Sequence, residues 1–81
     1  LHLFWNTLDI EVRSPPDYVG AVCLEIDGVG EEGAPSISAQ SCWWQDERWP
    51  LVNHRVYKWL PNGGYQVKVN GERKTQVRVS K

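Results

Sequence analysis

The sequence predicts an all-β domain, a small antiparallel sandwich or partly open barrel of five to six strands. Three observations carry that expectation. Short segments alternate apolar and polar residues with a period of two, the mark of a strand with one solvated face. Glycine, proline and asparagine punctuate the chain between those segments. No stretch shows a convincing helical repeat. At 81 residues the chain has room for one domain, spanning positions 1–81.

The elements follow in order. In Leu8–Arg13, Leu8, Ile10 and Val12 point one way and Asp9, Glu11 and Arg13 the other. This predicts a strand over 8–13, stopped by Pro15-Pro16 because proline donates nothing to a ladder. A second strand, 19–26, puts Val22, Leu24 and Ile26 on one face and Cys23 and Glu25 on the other. Asp27–Pro35 carries three glycines and three acids and reads as an exposed loop. A third strand, 36–44, sets Ile37, Ala39, Ser41 and Trp43 against Cys42 and Trp44. Gln45–Trp49 has room for one helical turn before Pro50 ends it. Strands over 52–60, 64–69 and 75–80 then read as a meander. Pro61-Asn62-Gly63-Gly64 supplies its first turn; Asn70–Thr75 supplies its second, read either as a loop looser than a two-residue turn or as a four-residue turn over Asn-Gly-Glu-Arg. Val67, Val69, Val77 and Val79 are expected in the core.

Five tryptophans are present: Trp5, Trp43, Trp44, Trp49 and Trp59. A chain this short buries only about 60–65% of its unfolded surface, and each indole can bury about 150–250 Å². Some of them are therefore expected inside. Trp43 and Trp44 are adjacent, so on a strand they oppose each other. Trp43 is expected largely buried, and Trp44 or Trp49 partly exposed.

The net charge of −1 conceals an uneven distribution: Leu1–Gln40 sums to −6 and Ser41–Lys81 to +5. Strands that interleave the two halves would let them attract each other. Cys23 and Cys42 are the only cysteines. They are expected close in space and bridged under oxidising conditions, which favours an extracellular or periplasmic setting. The chain does not open on methionine, as expected of a processed or excised chain. No apolar run approaches the 18 or so residues that span a bilayer, so no membrane insertion is expected.

Catalytic patterns are weak. Neither His2 nor His54 sits in an activating context, and no serine stands on a nucleophile elbow. The carboxylate pairs Asp9/Glu11 and Glu25/Asp27 share strand faces, as any solvated face would, and a domain this small rarely builds the cleft a glycosidase needs. No zinc, calcium-loop or phosphate-loop spacing occurs. The expectation is a protein without catalysis, cofactor or metal.

Binding is the remaining class. Trp44, Trp49, Tyr57 and Trp59, bordered by Asp46, Arg48 and Arg55, form a candidate contact surface, because exposed indoles and tyrosines dominate interaction hot spots. A protein partner, self-association included, or a glycan stacked on an indole would use it; protein contact is the favoured reading. The alternative is single-stranded nucleic acid on a small β-barrel, with Lys58, Lys68, Arg73, Lys74 and Arg78 contacting phosphates beside stacking aromatics.

Overall fold

The computed structural model describes residues 6–29 and 37–79. Trp5, Lys81, the central part of the acidic glycine loop and the expected strand positions 36 and 80 lie outside the described residues. Among the described residues six strands are present: β1 (Asn6–Arg13), β2 (Gly20–Gly28), β3 (Ser38–Gln45), β4 (Val52–Leu60), β5 (Gly63–Val69) and β6 (Glu72–Val79). The described chain is all-β. β1 and β4 form a two-stranded antiparallel sheet, and the other strands form a four-stranded one in the order β3-β2-β5-β6. Asp27 and Gly28, expected in the loop, extend β2 because Asp27 has strand partners on both sides, Ser38 and Gln66.

The larger sheet is organised around β2. Its inward residues Val22, Leu24 and Ile26 oppose Trp43, Ser41 and Ala39 of β3, while Leu24 and Ile26 oppose Val69 and Val67 of β5. Leu24 and Ile26 are fully buried, and Val12, Leu60, Tyr65 and Val67 close the core around them. Val69, Val77 and Val79 pack against that core while only partly buried. Two strands facing four leave part of the larger sheet uncovered, so of the four valines expected in the core only Val67 is enclosed.

The expected meander through 52–60 and 64–69 does not form. β4 pairs with β1, whereas β5 pairs with β2 and β6. Pro61 and Asn62 carry the chain from one sheet to the other. Asn6 ties down this crossing: its Nδ2 donates to Leu60 O at 2.9 Å and to Asn62 Oδ1 at 2.8 Å. The Tyr65 hydroxyl donates to Pro61 O at 2.8 Å. A Pro-Asn-Gly turn signal describes local dihedrals, and these serve a crossover as well as a hairpin.

The second turn is tighter than expected. Asn70 and Gly71 both have positive φ, 50° and 80°, the two-residue geometry whose twist suits a hairpin. Val69 therefore pairs directly with Glu72. A register shift between Val67 and Lys68 leaves Lys74 as the extra residue in β6, and it, not a longer loop, absorbs the slack. Asn70 also anchors the turn to β2: its Oδ1 accepts from Cys23 N at 2.8 Å, and its own N donates to Cys23 O at 2.9 Å.

Cys23 and Cys42 oppose each other across β2 and β3 and are joined as a disulfide, 19 residues apart in sequence. Closing a loop of that size constrains the unfolded chain by about 3 kcal/mol. Chemical denaturation of a Cys23→Ser/Cys42→Ser variant is expected to show a loss of about that size with an unchanged strand spectrum. A loss below about 0.5 kcal/mol would show that the bridge does not restrain the unfolded chain.

Candidate functional site

The candidate contact residues are distributed by the parity of β3 and β4. On β3, Trp43 and Gln45 turn inward and Trp44 outward. Trp44 lies on the outer face of the four-stranded sheet, opposite Ala21, and is 57% exposed. Beyond the strand, Asp46–Trp49 forms a β-turn closed by Trp49 N donating to Asp46 O at 3.1 Å. The expected helical turn is thus a β-turn, and Asp46 explains it: its carboxylate accepts from Arg48 N at 2.9 Å, a local bond that competes with a helical continuation. The turn presents Trp49 at 54% exposure.

A buried amide holds this turn on the sandwich. Gln45 is fully buried at the end of β3. Its Oε1 accepts from Trp43 Nε1 at 3.0 Å and from Asn53 Nδ2 at 3.3 Å, and its Nε2 donates to Pro50 O at 2.9 Å. Asn53 adds a second donor to the same carbonyl at 3.0 Å. The turn is therefore fastened from below, and its indole is displayed on an ordered support. Sequence reading missed Gln45 and Asn53, although the period-two parity that turned Trp43 inward also turns Gln45 inward. It also missed the apolar neighbours Val19 and Leu51, both exposed. Both belong to this end of the molecule: Gly20 opposes Gln45, and Ser14 N donates to Leu51 O at 2.8 Å.

Charge at this end is locally neutralised. Arg48 Nη2 lies 2.7 Å from Asp46 Oδ2. The Arg48 side chain, and then its backbone N–H, hold the Asp46 carboxyl below the usual aspartate range, and the carboxylate raises the guanidinium in return. A carboxyl lowered on folding stabilises the folded form above its unfolded pKa, and the contribution disappears as pH falls through the lower folded value. In an NMR titration, Asp46 is expected to protonate at lower pH than in an unfolded peptide and to move up in an Arg48→Ala variant. A midpoint unaffected by Arg48 would refute the pairing.

The other expected contact residues lie elsewhere. Arg55 and Tyr57 oppose Ile10 and Leu8 of β1 and so share the inward face. The Arg55 guanidinium stacks over Trp43 at 4.2 Å from the ring centroid, and its Nε donates to Ser41 Oγ at 3.1 Å. Tyr57 packs against the core, and burial raises its hydroxyl pKa. Trp43 is accordingly partly buried, under an arginine instead of an aliphatic roof. Trp59 is 68% exposed. Seven strand residues of β4, Val52–Lys58, separate it from the Trp49 end, roughly 23 Å at about 3.3 Å per residue. It occupies the bulge that shifts Leu8↔Tyr57 to Asn6↔Leu60, with φ of 65°, a conformation rare for a bulky side chain.

The basic residues do not form one strip. Lys68, Arg73 and Arg78 lie on the outer face of the four-stranded sheet. Lys58 is exposed on the other sheet, and Lys74 pairs with Glu72 at 3.4 Å. Lys68 meets Asp27 at 3.3 Å and Glu25 at 3.8 Å, so the uneven charge of the two halves is partly spent within one sheet. The mutual interaction of these two carboxyls raises Glu25 and, with the Ser38 hydroxyl, lowers Asp27. They stand on an open sheet face. Among the described residues, no group of three or more His, Cys, Asp or Glu is placed to hold a metal ion.

No protein-family model, curated protein or solved structure matches this chain.

Proposed function

We propose that the protein is a non-catalytic interaction module. Its contact surface is the end of the sandwich bearing Trp44 and Trp49, flanked by Val19 and Leu51 and bordered by Asp46 and Arg48. The supporting observation is that two indoles, each more than half exposed, stand at one end of the fold, one of them on a turn held by a fully buried glutamine. Ordered apolar area left in water favours a site that is covered by a partner. A protein surface, a second copy of this chain included, suits the arrangement better than a glycan, because the indoles occupy a sheet face and a turn tip without forming a row.

Sedimentation velocity across a concentration series tests the self-association arm, with tryptophan-fluorescence titrations against glycan and oligonucleotide panels beside it. Trp44→Ala and Trp49→Ala are each expected to weaken association at least tenfold while moving the unfolding free energy by less than about 1 kcal/mol. If both variants are unfolded, the indoles are structural and the proposal fails. Salt-sensitive oligonucleotide binding with a slope of several phosphates would replace it with the nucleic-acid reading. Saturable quenching by one sugar would replace the protein partner with a glycan.

A further inference from the structure

A second feature lies on the outer face of the four-stranded sheet, where the Cys23–Cys42 disulfide joins β2 to β3. The bridge is reachable from water, since Cys42 is exposed and Cys23 only partly buried. Its two strands are held very differently. β2 is central, with β3 on one side and β5 on the other. β3 is an edge strand, and among the described residues β2 is its one strand neighbour. Cys42 sits in the middle of that edge strand, flanked on the same face by Gln40 and Trp44.

Hydrogen bonding fixes the kind of pair the cysteines make. Cys23 directs both backbone groups to the β5 side: its N–H donates to Asn70 Oδ1 at 2.8 Å, and its carbonyl accepts from Asn70 N at 2.9 Å. The alternate residues of β2 bond toward β3, as Gly28 N does to Ile37 O at 2.6 Å. Cys23 and Cys42 are therefore a non-hydrogen-bonded pair. That is the position in an antiparallel ladder where opposed Cα atoms come closest, to about 4.5 Å. Here they stand 4.1 Å apart, short of the span of about 4.4–6.8 Å that disulfides usually bridge. Disulfides in pinched, water-exposed positions are the exchangeable ones, in contrast to buried structural bridges.

We propose that the Cys23–Cys42 bridge is a thiol-exchange site, opened in the folded protein by a low-molecular-weight thiol that attacks Cys42. The incoming thiolate forms a new S–S bond to Cys42 Sγ, the more exposed sulfur. The Cys23–Cys42 bond breaks, its electron pair leaves on Cys23 Sγ, and that thiolate takes a proton from water. A second thiolate attacks the reagent's sulfur in the mixed disulfide and releases Cys42, which is protonated in turn. Two reagent thiols are thereby oxidised to one disulfide, and the bridge is reduced to two thiols. Cys23 stays in place, because β5 and Asn70 hold β2 from the far side. Cys42 moves, because an edge strand without its covalent tie can leave the sheet. Opening the bridge thus frees β3 while β2 and β5 stay paired. This site stands whether or not the exposed indoles form a contact surface.

The test treats the oxidised chain with reduced glutathione, in buffer and in concentrated urea, and follows opening by iodoacetamide trapping and mass spectrometry. Cleavage after Glu25 separates the two cysteines, so the glutathione adduct can be placed on one of them. The folded chain is expected to open within about a hundredfold of the urea rate, whereas a reaction waiting on global unfolding would be slower by about a thousandfold or more. The first adduct is expected on Cys42. Amide exchange then reads the release of β3. Ala39, Ser41 and Trp43 lie opposite Ile26, Leu24 and Val22, the residues of β2 that bond toward β3. Their amides are expected to exchange at least about tenfold faster after reduction. The amides of Glu25 and Asp27, which face β5, should keep their protection. The Cys23→Ser/Cys42→Ser variant should show the same pattern without glutathione and no response to it. Three results would overturn the proposal: opening more than about a hundredfold slower than in urea, a first adduct confined to Cys23, or exchange in β3 that reduction leaves unchanged or accelerates equally in every strand.

Discussion

Replacing Leu24 with alanine is expected to lower the unfolding free energy by about 3–4 kcal/mol. Leu24 is fully buried on β2, with Ser41 opposite it on one neighbouring strand and Val69 on the other. Removing its side chain forfeits the transfer free energy and leaves a cavity between two sheets that cannot close on it. A chain of this length has on the order of 4–12 kcal/mol in total, so the variant loses a large fraction of it. The melting temperature is expected to drop by about 15 °C or more, at roughly 4–8 °C per kcal/mol in a domain of this size. Val56→Ala is the control, because Val56 is half exposed on the outer face of β4 and should change stability by less than about 0.5 kcal/mol. Urea denaturation measures both. Equal effects would mean that the core is not centred on β2.

Gln45→Ala is expected to cost about 2–3 kcal/mol and, unlike Leu24→Ala, to act on the candidate surface as well. Truncation removes the acceptor of Trp43 Nε1 and one donor to Pro50 O, and leaves a void under the turn. A polar group deprived of its partner in the interior costs about 1–3 kcal/mol, and the void adds to that. Asn53 still reaches Pro50 O, so the turn should loosen without the fold being lost. Two readouts follow. Denaturation should show the destabilisation, and hydrogen exchange should show faster opening at Trp49 N, whose acceptor is Asp46 O. If stability falls while exchange at Trp49 is unchanged, Gln45 supports the core alone and plays no part in presenting the indole.

The candidate contact residues differ in how far the sequence announced their placement. Trp44 and Trp49 were legible because neither of two constraints depends on the rest of the fold. Adjacent residues on a strand must oppose each other, and a proline after Trp49 prevents the strand from continuing. Arg55 and Tyr57 were not legible as interior residues. β4 alternates Val52, His54, Val56 and Lys58 with Asn53, Arg55, Tyr57 and Trp59, and neither set is clearly the apolar one. The choice of face was made by the partner strand, since β1 places Ile10 and Leu8 opposite Arg55 and Tyr57, and Arg55 then found its partner in Trp43.

What this sequence determined by itself is local: all-β structure, six strand segments, the positive-φ turn at Asn70-Gly71, and the inward faces of β1, β2 and β5. Each follows from period-two alternation or from dihedral preferences that act over a few residues. What only the tertiary structure decided is which strands pair. The Pro61-Asn62 link leads away from its neighbour strand, because β1 supplies β4 with a partner and β2 supplies one to β5. From that single choice follow a two-stranded sheet facing a four-stranded one and the partial exposure of the inward valines of β6, Val77 and Val79. Pairing between distant segments is settled by which apolar faces can be buried together, a property of the whole chain that no local pattern encodes.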